Sequence, residues 1–128
     1  LLKNDYDHRE RLWQNLGIAY EKLGLLDKAE QAFKKAMTEN PLYHMPLISL
    51  ARLSSRRGQE ERQVEYLRQA AKYCPICYEP VENLVQLYIK RSQVKKAQIL
   101  LREFIKRDGI APPDLAKAKI LLNKRKLG

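Results

Sequence analysis

The sequence is poor in the residues from which most enzyme and metal sites are built. Its 128 residues hold two histidines, two cysteines and one tryptophan. His8 and His44 stand outside any metal-ligand or nucleophile spacing. The five glycines, Gly17, Gly24, Gly58, Gly109 and Gly128, are scattered, so no glycine-rich loop is present to cradle a phosphate. The acidic pair Glu60-Glu61 falls at an expected helix start, where the helix dipole favours negative charge without any catalytic role. The chain is therefore read as non-catalytic, with no cofactor and no metal. No apolar run approaches the ~18 residues that a membrane span needs. No charged start followed by an apolar run and a small-residue cleavage site is present. The chain opens on Leu1 and is expected to be a piece of a longer protein.

What remains is a folded chain with uneven charge. A hydrophobic fraction of 45% and a charged fraction of 31% suit a single domain, 1–128, with a core of its own. The net charge is +10. Residues 1–89 carry 13 basic and 12 acidic side chains, whereas residues 90–128 carry 12 basic and 3 acidic. Such a cationic third can mark a nucleic-acid, anionic-membrane or acidic-protein contact, or simply a solvated lysine-rich helix surface. Phosphate contact would use Lys95, Lys96, Arg102, Lys106, Arg107, Lys117 and Lys124. Single-strand binding also calls for exposed stacking rings. Tyr88 and Phe104, the aromatics of this region, fit a core pattern instead, so nucleic acid is the weaker reading.

The strongest signal is internal repetition with a period of 34. Leu16, Leu50 and Leu84 recur at that spacing, as do Trp13, Leu47, Val81 and Leu115, and Phe33, Leu67 and Leu101. Gly24 pairs with Gly58, Ala36 with Ala70, Pro41 with Pro75, and Pro46 with Pro80. The run Trp13-x2-Leu16-Gly17-x2-Tyr20, then Ala29-x3-Phe33, Ala36 and Pro41, resembles the tetratricopeptide repeat (TPR). The pattern is nearly complete over about 10–43. It is degenerate over about 44–77, where Ser54 and Gln63 stand for Tyr and Ala. Over about 78–111, Gly109 stands for Pro. The resemblance implies an all-α, right-handed superhelix of three helical hairpins with a C-terminal capping helix over about 112–126.

Local chemistry agrees. Helices are expected at about 8–23, 27–40, 44–57, 60–73, 78–91, 94–108 and 112–126. Gly17, Ala29 and Ala36 allow close approach, and Trp13, Leu16, Tyr20 and Phe33 are expected to fill the space between helices. Asp27 is expected to cap its helix, with Glu30 three residues on. Gly24 and Gly58 suit hairpin turns, and Pro46 and Pro80 suit first turns. Leu115, Ala118, Leu121 and Leu122 supply the last helix's apolar face, while Trp13 and its neighbours lack an evident cover.

The same resemblance implies a scaffold that holds a protein or peptide in a concave groove lined by the first helix of each hairpin. Here that lining would be Arg11, Gln14, Ile18 and Lys22 in the first repeat. Met45, Ile48 and Arg52 follow in the second, and Glu82, Gln86 and Ile89 in the third. Ile18, Met45, Ile48 and Ile89 would be apolar residues outside the core. The co-chaperone branch of the family holds a chaperone's C-terminal carboxylate with Lys, Asn and Arg. The matching positions here are Gln14, Ile18, Ser49, Glu79 and Asn83, so no chaperone tail is expected. Cys74-Pro75-Ile76-Cys77 admits three readings: two inert thiols, a disulfide in an exported protein, or a metal or redox pair. Finally, Leu2-x3-Tyr6-x2-Arg9 before Trp13-x-Asn15-Leu16-Gly17 resembles a junction in the type IV pilus biogenesis TPR lipoproteins (PilF/PilW-like). That narrower resemblance implies secretin assembly at the periplasmic side of an outer membrane.

Overall fold

The computed structural model describes residues 8–124. Among them are seven helices and no strand: α1 (Arg9–Lys22), α2 (Leu26–Glu39), α3 (Met45–Arg56), α4 (Glu60–Tyr73), α5 (Tyr78–Lys90), α6 (Val94–Ile105) and α7 (Pro112–Lys124). Helices α1 and α2, α3 and α4, and α5 and α6 pack as consecutive hairpins. The chain forms two compact units, Leu1–Tyr73 with α1 to α4 and Cys74–Gly128 with α5 to α7. The all-α class and the pairing of helices are those expected from the 34-residue period.

The hairpin turns show how that period acts. Gly24 has φ +78°, Gly58 has φ +71° and Ser92, at the third equivalent position, has φ +59°. Each residue sits just past a helix end in the left-handed region and closes the same pair of backbone bonds. Gly24 N–H donates to Glu21 O and Leu25 N–H to Tyr20 O, both at 2.9 Å. Gly58 and Gln59 repeat this on Ser55 and Ser54, and Ser92 and Gln93 repeat it on Ile89 and Tyr88. This motif satisfies carbonyls that a helix end leaves unpaired, and it reverses the chain within a few residues. A residue with a Cβ pays for left-handed backbone, which glycine does not.

In the first unit, Ala29, Phe33, Leu50 and Leu53 form one core cluster, with Ile18, Tyr20, Leu26, Met37 and Tyr66 packed on it. Leu47, Ile48 and Ala70 form a second, onto which Met37, Met45 and Tyr66 pack. Met37 and Tyr66 touch both clusters and so tie the two hairpins together. Within the first hairpin the helices approach through Gly17: a Cβ there would lie 2.5 Å from the Phe33 ring. Arg57, just after α3, reaches back to α2, binding Glu30 at 2.6 Å and Asp27 with its other terminal nitrogen. Asp27 thus serves as an ion-pair partner. The expected side-chain cap is absent, since α2 begins one residue earlier, at Leu26, with no cap bond from Leu25.

In the second unit Val81 and Val85 of α5 and Leu101 and Phe104 of α6 are fully buried. The Tyr78 ring lies 5.8 Å from that of Phe104. Burial pushes the Tyr78 phenol up to about 12, and the neighbouring Glu82 carboxylate adds to the shift. Helix α6 ends at Ile105, three residues short of the expected 108. Arg107 turns off the helix, its N–H donating to Phe104 O, and its guanidinium donates to Pro75 O at 2.8 Å. Gly109, with φ +85°, completes the turn. Helix α7 packs on α6 and α5, with Ala118 fully buried and Leu115, Leu121 and Leu122 half-buried.

Two substitutions test this account. Gly17→Ala should lower stability by about 1–3 kcal/mol because the enclosed Phe33 ring cannot yield freely, despite alanine's better helix propensity. Ser92→Gly should raise stability by roughly 0.5–1 kcal/mol, relief of left-handed strain exceeding the entropy cost of glycine. Urea unfolding of both variants checks the two signs.

Candidate functional site

Helices α1 and α3 face one another across a polar seam. Gln14 on α1 donates to Ser49 Oγ on α3 at 2.8 Å. One turn along α3, Arg52 clasps Glu21 of α1 with two hydrogen bonds of 2.8 and 2.7 Å. Its Nη2 also lies 3.4 Å from Ser49 Oγ. Arg56 adds a longer contact to Glu21 at 3.6 Å. The Arg52 hydrogen bonds hold the Glu21 carboxyl below its ordinary 4.5 against the opposing effect of burial, and the charges of Arg52 and Arg56 act in the same direction. Gln14, Glu21 and Ser49 are all buried.

The seam changes the expected groove. Gln14 is only 3% exposed and Ile48 only 5%, so neither offers a side chain to a partner. Ile48 turns into the Leu47–Ala70 cluster, because α3 is enclosed by neighbours and buries eight of its twelve residues. Ile18 and Met45 are half-buried and spend part of their surface on the two core clusters. Arg52 is exposed along part of its length, yet its guanidinium is engaged by Glu21. Arg11 and Lys22 on α1 are exposed. On α5, Gln86 is exposed while Glu82 and Ile89 are half-buried. The structure therefore brings Gln14 and Arg52 together through Ser49 and Glu21. Glu21 had no place in the expected lining; its only advance signal was its position one turn beyond Ile18 and Gly17, where the repeat asks for nothing.

The chaperone-tail positions Gln14 and Ser49 are buried against each other. In the cationic third, Lys95, Lys96, Arg102, Lys106 and Lys117 are exposed, whereas Arg107 is half-buried in its bond to Pro75. Lys96 lies 6.0 Å over the Tyr88 ring. The side chain of Lys124 and the junction residues Leu2 and Tyr6 lie outside the described residues. Tyr88 and Phe104 are buried, as the repeat pattern requires, and present no stacking surface. Cys74 and Cys77 form a disulfide across the turn before α5, with Cα atoms 5.4 Å apart. Of the three readings open to this pair, the structure adopts the disulfide.

A further feature lies on the first hairpin. Trp13, Leu16 and Tyr20 of α1 and Lys28, Gln31, Ala32 and Lys35 of α2 line an open cleft of about 380 Å³. Leu16 was expected in the core, as were Trp13 and Tyr20. Instead Leu16 is 38% exposed and the two aromatics are half-buried. Leu50, its equivalent in the next repeat, is buried because a helix packs over that side of α3.

Three comparisons bear on this architecture. Residues 10–43 match the family model of the tetratricopeptide repeat. No curated protein matches the chain in sequence. The fold is similar to that of the Sgt2 TPR domain from Aspergillus fumigatus, with a TM-score of 0.63 at 18% identity, over 93% of this chain and 82% of that one. The tetratricopeptide-repeat fold expected from the sequence is thus the fold observed.

The Glu21 seam should be visible in the pH dependence of stability. A carboxylate held below its unfolded value stabilises fully above about pH 4.5 and loses that contribution as pH falls through the lowered folded value. Glu30 is lowered in the same sense, first by the Lys34 hydrogen bond and then by Arg57. Arg52→Ala should cost about 1–2 kcal/mol at neutral pH, allowing for solvent screening of the partly exposed guanidinium. Its difference from the parent should shrink as pH falls below about 4.5. Urea unfolding from pH 3 to 7 measures both.

Proposed function

We propose that this chain is a non-catalytic protein–protein interaction scaffold. It would hold a segment of a partner on the face formed by the first helix of each hairpin. The observation that carries this reading is the tetratricopeptide-repeat architecture itself, supported by the family match over residues 10–43 and the similarity of fold. On this reading the whole chain works as one TPR domain, with repeats over about 10–43, 44–77 and 78–111 and a cap over about 112–126.

The buried seam refines which residues would make contact. Gln14 and Arg52 would shape the surface by fixing α1 against α3, while Ile48 anchors α3 in the Leu47–Ala70 cluster. Arg11, Ile18, Lys22, Met45, Glu82, Gln86 and Ile89 would meet the partner. A chaperone C-terminal carboxylate is not expected, because Gln14 and Ser49 are spent on each other. The narrower placement, in type IV pilus secretin assembly, rests on the Leu2–Gly17 junction alone. The basic third supplies the alternative, an anionic surface meeting Lys95, Arg102 and Lys106. Lys95 and Arg102 share one face of α6 and Lys106 follows just past its end; a salt-dependent shift with RNA or anionic vesicles would favour that alternative.

Photo-crosslinking amino acids placed singly at Arg11, Lys22 and Gln86 should capture one and the same partner. The same probe at Thr38 or Lys72, on second helices, should capture it at least tenfold less. Equal capture from both sets of positions would remove the groove from the proposal.

A further inference from the structure

The second helix of each hairpin carries an outward stripe at the same repeat positions. On α6 it is Lys95, Ile99, Arg102 and Lys106, whose spacings of four, three and four place them on one face. All four are exposed, and the buried Ala97, Leu101 and Phe104 lie on the opposite face. Lys106 keeps right-handed helical dihedrals at the helix end, so it continues the line. Thirty-four residues earlier the stripe reads Glu61, Glu65, Arg68 and Lys72, and sixty-eight earlier Asp27, Gln31, Lys34 and Thr38. Those eight residues are exposed as well. On α2 they remain so although α3 and α4 follow it in the same unit. The openness of this face therefore belongs to the repeat and not to an end of the chain.

What changes from helix to helix is the charge. The α2 and α4 stripes each balance, one acid against one base and two against two. The α6 stripe holds three cations and no acid, around an isoleucine where the others have glutamine and glutamate. Stability does not account for this pattern. Asp27 stands in the first turn of α2, and Glu60 and Glu61 in that of α4, whereas α6 has no acid there. Lys95 and Lys96 occupy that turn instead, where the helix dipole disfavours a cation. Ile99 is 54% exposed, so its side chain contributes little to the core. An anionic lipid surface would satisfy both features. Its headgroup phosphates attract cations spread over about 16 Å of helix, and its acyl boundary takes the isoleucine. An RNA would use the cations alone, since an aliphatic side chain neither stacks on a base nor binds a phosphate.

We propose that the α6 stripe of Lys95, Ile99, Arg102 and Lys106 is a docking surface for bilayers rich in anionic phospholipid. Lys95, Arg102 and Lys106 lie among the headgroup phosphates, and Ile99 enters the acyl boundary between them. Lipid docking rests on the anionic-surface alternative and commits it to one partner. The α1–α3 face takes no part in this contact.

Co-sedimentation with vesicles of equimolar phosphatidylglycerol and phosphatidylcholine measures the contact. Pure phosphatidylcholine vesicles and a single-stranded RNA serve as comparisons. The parent should bind the anionic vesicles in a salt-sensitive way, and the neutral ones roughly tenfold more weakly or worse. Each cation near an anionic lipid surface strengthens binding by roughly fivefold, so Lys95→Gln/Lys106→Gln should bind about 20-fold more weakly. Ile99→Gln keeps every charge and should still bind roughly threefold more weakly or worse. On α7, Lys117→Gln/Lys119→Gln should stay within about twofold of the parent. All these side chains are exposed, so the thermal melts should stay close to the parent's. An equal loss in the α6 and α7 pairs would assign binding to diffuse charge and overturn the proposal. Parent-like vesicle binding by Ile99→Gln would overturn it too. Binding to RNA without binding to anionic vesicles would overturn lipid docking and keep the anionic-surface alternative. Binding to neither would remove both.

Discussion

A left-handed residue placed once every 34 positions is the constraint on which this structure depends. At Gly24, Gly58 and Ser92 the chain leaves one helix and turns back along it, each time closing the same two backbone hydrogen bonds. The turn puts the second helix of each pair at a set angle and register to the first. Small residues then face large ones, as Gly17 faces Phe33. A hairpin made this way buries only one face of each helix. The remaining apolar faces must be covered by a neighbouring element, which is why such units stack.

Stacking has different chemistry on its two sides. Between α2 and the next hairpin the join is apolar, with Met37 plugged against Leu47, Ile48 and Ala70, and it is edged by the Arg57 ion pairs. Between α1 and α3 it is polar, with Gln14, Ser49, Glu21 and Arg52 in one hydrogen-bonded seam. Within that seam Gln14 Oε1 is buried without a partner. A buried network of this kind specifies one register between helices, because a shift of one residue would strand a charge. The face expected to receive a partner is therefore already partly occupied in holding the scaffold together. Beside the seam, Arg11 and Lys22 of α1 are exposed.

The cleft on the first hairpin and its equivalent on the second share a repeat pattern and differ, among the described residues, in what lies over them. An apolar residue at a repeat position is core where a helix is next door, as Leu50 is, and exposed where none of the described residues covers it, as Leu16 is. For the same reason the cationic third is not one uniform charge. Lys96 rests over Tyr88 and Arg107 is tied to Pro75, while Lys95 and Lys117 extend outward.

The amino-acid sequence by itself determined the class, the number of helices and nearly every helix boundary. These follow from the spacing of Gly, Pro and apolar residues along one chain, and such signals are local. Even Ser92 could be read from it, since it stands 34 residues beyond Gly58. Tertiary structure alone decided which residues at those positions are buried and which charges are paired. Ile48 is core and Leu16 is surface although both carry the same aliphatic signal. Asp27 answers Arg57 thirty residues away, where a cap for its own helix was expected. Glu21 and Arg52 find each other across two hairpin helices. Burial and ion pairing depend on what arrives from a distant part of the chain, and a periodic pattern records only that an element has a face, not what meets it.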